Sequence, residues 1–298
     1  MLQFHAPTVE DYAWIYPILY KAALPGADDT FHNIYFWECY YGQVALAEGF
    51  VTQRLRQGAR EVYLYPAGTG DVRPALEAVL GDAHARGARA CLRGVTEEKR
   101  AELEALWPDR FSFTPYRDSF DYIYTVEELT QLHGKKLQAK RNHCNRFEAE
   151  HPSFTTQRIT QENIGLCRQM AAQWYAMHEI GEELRQEQAA IARAFDAFAS
   201  THMDGLMLLE EGKVLGFSMG ARMNERYYDV CFEKAFPDIN GAYAMINREF
   251  SRLVASLYPE VEFLNREDDM GEEGLRRAKE SYQPTLLLAK YMAEERGL

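Results

Sequence analysis

The sequence predicts an α/β (α+β) protein with two similar domains in tandem, each a mixed, mainly antiparallel sheet flanked by helices. Three observations support this prediction. Helical and strand-like periodicities alternate along the chain. The elements run through two passes of comparable length, each with neighbouring strands and a late helix. The chain has 298 residues, 47% of them hydrophobic, which is enough for two cores.

The first pass covers roughly the first 125 residues. Apolar spacing predicts an amphipathic helix at its start, and Asp71 opens a second helix that ends near Gly87. Thr96 is a predicted N-cap for a third helix. The predicted helices are 9–21, 71–87 and 96–106. The predicted strands are 34–40, 44–50, 61–65, 89–95 and 119–124, the third of them closed by the turn-rich residues 66–70.

The second pass begins after a predicted long helix over residues 126–150. A three-strand meander with tight turns is its clearest feature. The helix predicted over 241–257 carries Ala242, Met245, Ile246, Phe250 and Leu253 on one face. The predicted strands are 154–159, 206–211, 214–223, 226–234 and 261–264. The other predicted helices are 164–178, 187–202 and 272–282. The predicted domains are residues 1–125 and residues 126–298, the second including the linker helix 126–150.

The overall composition is acidic and excludes several classes of protein. The formal net charge of −12 argues against a general nucleic-acid surface or DNA binding. No apolar run approaches the length of a membrane span, and the N-terminus lacks the basic segment of a signal peptide. Five scattered cysteines without ligand spacing indicate reduced thiols, a cytoplasmic location and no structural metal site.

A basic segment stands out against this acidity, because residues 134–147 read GKKLQAKRNHCNRF, with five cations and no acid. On a helix, Lys140 and Arg141 flank the apolar face, and Asn142 and His143 lie beside them. One interpretation is a solvated helix. The other is a cleft rim where Lys140 and Arg141 bind phosphate or carboxylate, with Asn142 and His143 extending the site.

A second candidate is the start of the helix predicted at residue 241, after the strand and loop EKAFPDINGAYAMINREF (residues 233–250). Free N–H groups at a helix start bind anions. The predicted donor-binding residues here are Asn240, Gly241, Ala242 and Tyr243. An ordinary capped helix is the alternative.

A third candidate is the segment NREDDMGEEGLRRAKESYQP, residues 265–284. Asn265 and Arg266 at its start are predicted to bind substrate or donor. Lys279 lies next to the inward stripe of the predicted helix. Its ammonium either snorkels to solvent or faces a cleft and stabilises negative charge in an acyl-transfer transition state. The acids 267–269 are interpreted as a solvated turn, not as a metal site.

Together, HGKKLQAKRNHCNRF and the two segments above resemble a bacterial family of uncharacterised proteins related to the C-terminal domain of phosphatidylglycerol lysyltransferases. The resemblance implies two domains of the GCN5-related N-acetyltransferase type, similar to Fem-type peptidyltransferases. In these relatives a lysine in a GLRxFKxxF-type helix is thought to contact the transferring group, and the matching lysine is Lys279. At residues 229–232 the chain reads Asp-Val-Cys-Phe where the lipid synthases carry Asp-Leu-Met-Arg.

The sequence therefore predicts an acyl- or aminoacyl-transferase that moves an acyl group from a phosphate-bearing donor to an amine or hydroxyl. The donor is acyl-CoA or aminoacyl-tRNA, an anionic small-molecule or tRNA-linked co-substrate, and no tightly bound cofactor is expected. The catalytic candidates are Lys279 and, as the base, Glu233 or Asp229. The alternative is a non-catalytic, degenerate transferase fold that binds an anionic metabolite or a partner. The sequence leaves the acceptor and the oligomeric state open.

Overall fold

The computed structural model describes residues 1–58, 60–179 and 181–297. The helices are α1 Tyr12–Ala22, α2 Phe31–Phe36, α3 Glu38–Tyr41, α4 Arg73–Ala85, α5 Glu97–Leu106, α6 Val126–Gln131, α7 Gln138–Glu150, α8 Ile164–Ala176, α9 Glu182–Ala197, α10 Ala242–Leu257 and α11 Glu273–Glu280. The strands are β1 Gln43–Ala47, β2 Phe50–Gln57, β3 Arg60–Leu64, β4 Cys91–Val95, β5 Phe111–Pro115, β6 Asp121–Thr125, β7 Thr155–Arg158, β8 Asp204–Glu210, β9 Lys213–Arg222, β10 Tyr227–Ala235, β11 Phe263–Asn265, β12 Leu286–Leu288 and β13 Tyr291–Glu295.

The chain forms two compact units. Unit 1 contains residues 1–121, 268–272 and 287–298, and unit 2 contains residues 122–267 and 273–286. The division predicted at residue 125 falls near the first crossover. The prediction gave all of 126–298 to the second domain, whereas the last segment lies in unit 1 because β13 pairs there with β4 and β5.

Unit 1 is built on a sheet with the strand order β1-β2-β3-β4-β13-β5. The pairing is mostly antiparallel, but β3 and β4 are parallel and are connected through α4. Apolar residues on one side of α4, including Leu76 and Val79, are buried against Tyr63 and Leu92 of the sheet. A parallel pair needs such a crossover, because a hairpin can join only antiparallel strands.

A buried ion-pair network lies in unit 1. The Lys290 ammonium is 2.6 Å from a carboxylate oxygen of Asp28 and 2.7 Å from one of Asp121. Burial alone would raise the pKa of Asp28, but the combined charges of Lys290, Arg93 and Lys99, with the hydrogen bond from Lys290, lower that pKa to about 2. Burial alone would likewise lower the pKa of Lys290, and the charges of Asp121 and Asp28 hold it above its ordinary value. These ions are stable inside the unit because they are paired.

Unit 2 is built on a sheet in which β6, β11, β10, β9, β8 and β7 follow one another. Here the parallel pair is β10 and β11, connected through α10. Met245 and Phe250 of α10 are buried in one core with Tyr228 of β10 and Leu264 of β11.

Both units thus contain a strand, a helix and a parallel strand in the same order within a mainly antiparallel sheet. This confirms the predicted fold class of two similar units, each a mixed, mainly antiparallel sheet flanked by helices.

Residues 34–40 were predicted as a strand, and this prediction is wrong, because they lie in α2 and α3. The Thr30 hydroxyl caps α2 by accepting a hydrogen bond from the Asn33 amide at 3.2 Å. Phe31 and Ile34 then share a buried side at helical spacing. Tertiary burial of aromatic residues therefore outweighs their strand propensity here. Strands β5, β12 and β13, and most of β2, were not predicted.

The predicted helix over 126–150 is instead two helices, α6 and α7. Leu132 and Gly134 between them have positive φ angles of 52° and 76°, which end α6 and turn the chain. The Arg141 guanidinium then donates hydrogen bonds to the carbonyl oxygens of Leu132 and Gly134. The turn is therefore stabilised by a side chain from α7.

Over residues 1–58, 60–179 and 181–297, none of the helices combines the length and apolar character needed to cross a membrane.

Candidate functional site

The candidate site lies in unit 2, where β10 and β11 diverge. The two strands pair only over Tyr227–Asp229 and Phe263–Asn265, and β10 then continues along β9 without β11. Glu233 of β10 and Arg266, the residue after β11, meet across this opening, with Arg266 Nη2 2.9 Å from Glu233 Oε1. The divergence leaves room between the strands that backbone pairing does not fill.

Arg266 is the central cation of this opening. Its side chain is 12% exposed, and its guanidinium carbon lies 4.8 Å from the Tyr282 ring centre. Burial alone would lower the pKa of Arg266, but Glu233 holds it above its ordinary value. Among the described residues, nothing hydrogen-bonds the buried Nη1 atom. A buried donor of this kind is costly unless a ligand or water accepts its hydrogen bond.

Lys140 of α7 adds a second cation. Its Nζ lies 4.0 Å from the centre of the Tyr282 ring, the same ring that lies under Arg266. Burial, and secondarily the charge of Arg266, lowers the pKa of Lys140 to about 8. With Glu233 as the nearby carboxylate, the group has an excess positive charge. It is therefore suited to bind an anion or an oxygen that becomes negative during reaction.

Two more buried polar groups surround Glu233. Asn247 of α10 donates from Nδ2 to Glu233 Oε2 at 3.0 Å, which fixes the second carboxylate oxygen. Ser218 of β9 lies directly opposite Glu233 in the ladder and is fully buried. The Ser218 hydroxyl and the Asn247 side-chain oxygen have no hydrogen-bond partner in the described part of the chain. The opening therefore offers donors and an acceptor to a small polar group.

The structure places Lys279 beside this cluster, but in a structural contact. Its ammonium donates to the backbone carbonyl of Arg266 at 2.5 Å, and its own carbonyl accepts from the Tyr124 hydroxyl at 2.7 Å. Lys279 is 8% exposed. These contacts fix the backbone that carries the Arg266 guanidinium. The catalytic role of Lys279 stays a prediction.

The cations of the predicted basic segment make different contacts in the structure. Lys140 joins Arg266 and Tyr282, whereas Arg141 holds the turn between α6 and α7. Asn142 and His143 are exposed on α7. Helical spacing placed Lys140 and Arg141 on the two flanks of the apolar face. It could not show that one joins the site and the other stabilises a turn.

The start of α10, predicted to bind an anion through Asn240, Gly241, Ala242 and Tyr243, is covered by α7. Gly241 has a φ of 79°, and a Cβ atom there would lie 2.1 Å from the carbonyl oxygen of His143. Asn240 donates to Glu150 of α7 at 3.4 Å, and Ala242 is buried. Tyr243 is partly exposed, and burial of its hydroxyl raises the pKa of Tyr243. A phosphate therefore has little access to the N–H groups of Gly241 and Ala242.

The other predicted residues lie on β10 and β11. Asn265 is buried at the end of β11, and its side-chain oxygen accepts from the Glu267 amide at 2.7 Å. Asp229 is fully buried, with the Cys231 sulfur 3.6 Å from its Oδ2. Asp229, Cys231 and Glu267 offer oxygen and sulfur atoms within 4.8 Å of one another, and could together hold a cation. Burial raises the pKa of the Cys231 thiol well above its ordinary value, so the Cys231 side chain is a neutral thiol.

Sequence reasoning missed Tyr282, Asn247 and Ser218 as parts of the site. Tyr282 ends the predicted helix 272–282, and Ser218 lies within the predicted strand 214–223. Asn247 carried no signal beyond its place near the apolar side of α10. Their shared feature is burial around Glu233 and Arg266, which only the fold reveals.

The fold and this cluster define an α/β protein of two similar mixed-sheet units with a cationic centre in the second unit. Residues 21–294 match the family described as "Phosphatidylglycerol lysyltransferase, C-terminal". The chain belongs to this transferase family, as the resemblance indicated.

Two solved structures and one curated protein are similar to this chain. A conserved protein of unknown function from Bacteroides thetaiotaomicron is 36% identical, with a TM-score of 0.92 over 99% of this chain and 100% of that one. L-PGS from Bacillus licheniformis is 18% identical, with a TM-score of 0.68 over 99% of this chain and 94% of that one, and shows the same fold. An uncharacterised protein of Mycoplasmoides gallisepticum is 24% identical over 60% of this chain. The match spans 57% of that curated relative's length.

Proposed function

We propose that this protein is an aminoacyltransferase that moves an aminoacyl group from a tRNA-linked donor to an amine or hydroxyl acceptor. Membership of the lysyltransferase family supports the reaction class. The observation that carries the proposal is the buried Nη1 of Arg266, which has no partner among the described residues and lies near the partly buried ammonium of Lys140.

The chemistry needs stabilisation of negative charge on the ester carbonyl oxygen. When the acceptor attacks the carbonyl carbon, this oxygen becomes an oxyanion, and a preorganised donor in a dry site stabilises it. Arg266 Nη1 serves as that donor. Lys140, with a pKa near 8, is matched to give a proton to the departing ribose oxygen as the ester C–O bond breaks.

Glu233 has a positioning role in this mechanism. Its two oxygens are engaged by Arg266 and Asn247, so it orients the guanidinium and offsets part of its charge. Of the two carboxylates predicted as the base, Glu233 is therefore occupied, and Asp229 is buried beside the Cys231 thiol. An acceptor amine that enters uncharged requires neither of them for its activation.

The donor is proposed to be aminoacyl-tRNA and not acyl-CoA. A pyrophosphate binds readily to the free N–H groups at a helix start after a strand. Here the carbonyl of His143 and the side chain of Phe147 crowd Gly241 at the start of α10. A tRNA-linked donor does not need to bind at the start of α10. The use of aminoacyl-tRNA would place the reaction in the cytoplasm.

The test compares the two donors directly. The purified chain is incubated with radiolabelled aminoacyl-tRNA or acyl-CoA, and label is followed into amines and into lipid hydroxyls. We expect transfer from aminoacyl-tRNA and none from acyl-CoA. Lys140→Met should lose most of the transfer, whereas the matched variant Lys135→Met, which changes an exposed lysine before α7, should retain it.

Transfer from acyl-CoA alone would contradict the proposed donor. If neither donor is used and neither raises the melting temperature of the protein, the chain is a non-catalytic binder and the proposal fails.

A further inference from the structure

A pocket of about 580 Å³ lies elsewhere on unit 2, and the predicted site residues do not line it. One wall is α6, a second is residues 133–137 after it, and the third is residues 280–285 after α11. A pocket of this size holds a small organic molecule.

The charges lining the pocket are mostly negative. Glu127 and Glu128 from α6 and Glu280 from the end of α11 contribute three carboxylates, and Lys136 contributes one ammonium. The lining therefore carries an excess of two negative charges when His133 is neutral. Such a concave surface attracts cations and repels the phosphates of the proposed donor.

Glu128 is held in place in this wall. Its Oε2 accepts hydrogen bonds from the hydroxyls of Thr125 at 3.0 Å and Thr285 at 2.5 Å. Within the described residues, Oε1 of Glu128 and the carboxylate of Glu127 have no hydrogen-bond partner. The pocket thus presents two carboxylates, Glu127 and Glu128, that no cation of the described chain pairs with.

Tyr282 supplies a second, independent indication of a ligand. It lines the pocket but is only 5% exposed. No residue of the described chain hydrogen-bonds its hydroxyl. Since Tyr282 lines the pocket, this hydroxyl is available to hydrogen-bond a ligand there.

The apolar residues of the lining indicate that a ligand would also have an apolar part. Leu137 and Pro284 stand in the wall together with the Tyr282 ring. A short hydrocarbon chain would pack against these groups while its charged end meets the carboxylates.

We propose that this pocket binds an organic cation, a primary ammonium carried on a short apolar chain. The Tyr282 ring that lines the pocket also contacts Lys140 and Arg266, whose charged groups lie 4.0 Å and 4.8 Å from the ring centre. The ligand's role as the acceptor rests on the proposed function, whereas its binding does not.

In that role the reaction balances as follows. The ammonium gives one proton to solvent, and its nitrogen forms an amide bond to the acyl carbon. The ester C–O bond breaks as Lys140 gives a proton to the departing ribose oxygen, and a second proton from the nitrogen restores the Lys140 ammonium. The third proton stays on the amide.

The test is calorimetric titration of the whole chain with cadaverine, with the neutral pentanediol as the control ligand. We expect saturable binding of cadaverine that weakens as salt is added, and no binding of pentanediol. The double variant Glu127→Gln/Glu280→Gln should bind cadaverine about fivefold more weakly or worse. Glu225→Gln, an exposed acid in a turn of the same unit, should bind like the wild type.

Equal binding of pentanediol, absence of cadaverine binding, or an equal loss in Glu225→Gln would overturn the cation pocket. Lys140→Met should lose transfer but keep cadaverine binding. Absence of transfer by the wild-type chain from either donor, with cadaverine binding intact, would remove the proposed function and leave the pocket standing.

Discussion

At the scale of single residues, the account depends on the charges that share the Tyr282 ring. Arg266 is paired with Glu233, yet one of its nitrogens has no partner among the described residues. Lys140 is held near that charge without a carboxylate within ion-pair distance in the described chain. Such an arrangement costs stability, which proteins accept at functional sites.

The first prediction measures this cost. Lys140→Met should raise the free energy of unfolding at pH 7 by a few tenths to about 1 kcal/mol, allowing for solvent screening of the part-exposed ammonium. The pKa of Lys140 is lowered from 10.5 to about 8 on folding, so below pH 8 the folded state holds a disfavoured charge. The increase in the free energy of unfolding caused by Lys140→Met should be complete below pH 8 and shrink toward zero as the pH rises from 8 to 10.5.

The measurement is denaturant unfolding at several pH values. Lys135→Met serves as the control and should show a small, pH-independent change. A destabilising effect of Lys140→Met that is the same at every pH would contradict the buried-charge account.

The second prediction concerns catalysis by the same residue. If Lys140 acts as an ammonium, the ratio of the wild-type transfer rate to that of Lys140→Arg should fall as the pH rises through about 8, because only the lysine is deprotonated there. The ratio removes the pH dependence of the acceptor itself. A ratio that rises through the same range would show that Lys140 acts as a free amine.

The same scale shows what sequence could provide about the site. Glu233, Lys140 and Arg266 were all predicted as candidates, because their charges stood in conspicuous segments. The different contacts of Lys140 and Arg141 were not predictable from the sequence, because they depend on the break between α6 and α7. That break depends on two residues with positive φ angles, Leu132 and Gly134, and the first gives no turn signal in the sequence.

At the scale of elements, the packing of α7 against the start of α10 is the feature that favours tRNA over acyl-CoA as the donor. Gly241 permits this packing, because it adopts a φ of 79° and leaves space for the His143 carbonyl.

The third prediction tests that contact. Gly241→Ala should destabilise unit 2 by about 2 kcal/mol or more, because both the φ angle and the clash with a backbone oxygen are unfavourable. Hydrogen-exchange protection in α7 and α10 should fall. Gly274→Ala in α11 meets nothing within 4 Å and should be neutral or stabilising. Equal effects of the two variants would contradict the packing of α7 on α10.

Helices with clear apolar spacing, such as α4, α5, α8 and α10, were predicted near their observed positions. The elements that the sequence analysis missed or assigned wrongly are short, or carry polar residues on the surface. Residues 34–40 have strand-forming aromatics but form helices in an aromatic core. The strand β13 begins with aromatic and apolar residues but ends in two acids, and its pairing with β4 and β5 is non-local, so no local pattern specifies it.

At the scale of the whole molecule, the last strand completes the first unit. β13 lies between β4 and β5 in the sheet of unit 1, and Lys290 before it forms ion pairs with Asp28 and Asp121. The chain order therefore differs from two consecutive domains, and unit 1 cannot form fully until the chain end is present.

The fourth prediction follows from this order. A chain that ends at Leu286 should lose hydrogen-exchange protection in β4 and β5, because it lacks their shared neighbour and removes the Lys290 ammonium from two buried carboxylates. Adding back the peptide 287–298 should restore part of that protection. A truncated chain with wild-type protection in β4 and β5 would contradict the topology. Lys290→Met in the full chain isolates the charge effect from the loss of the strand.

The central claim is that Arg266 supplies the hydrogen bond that acyl transfer requires. Its most direct test is single-turnover transfer from aminoacyl-tRNA by Arg266→Met and by Arg226→Met, an exposed arginine of the same unit. We predict a loss of about a hundredfold or more for Arg266→Met, with exchange protection of β10 and β11 retained, and a change within about twofold for Arg226→Met. A folded Arg266→Met variant that transfers at the wild-type rate would contradict the account.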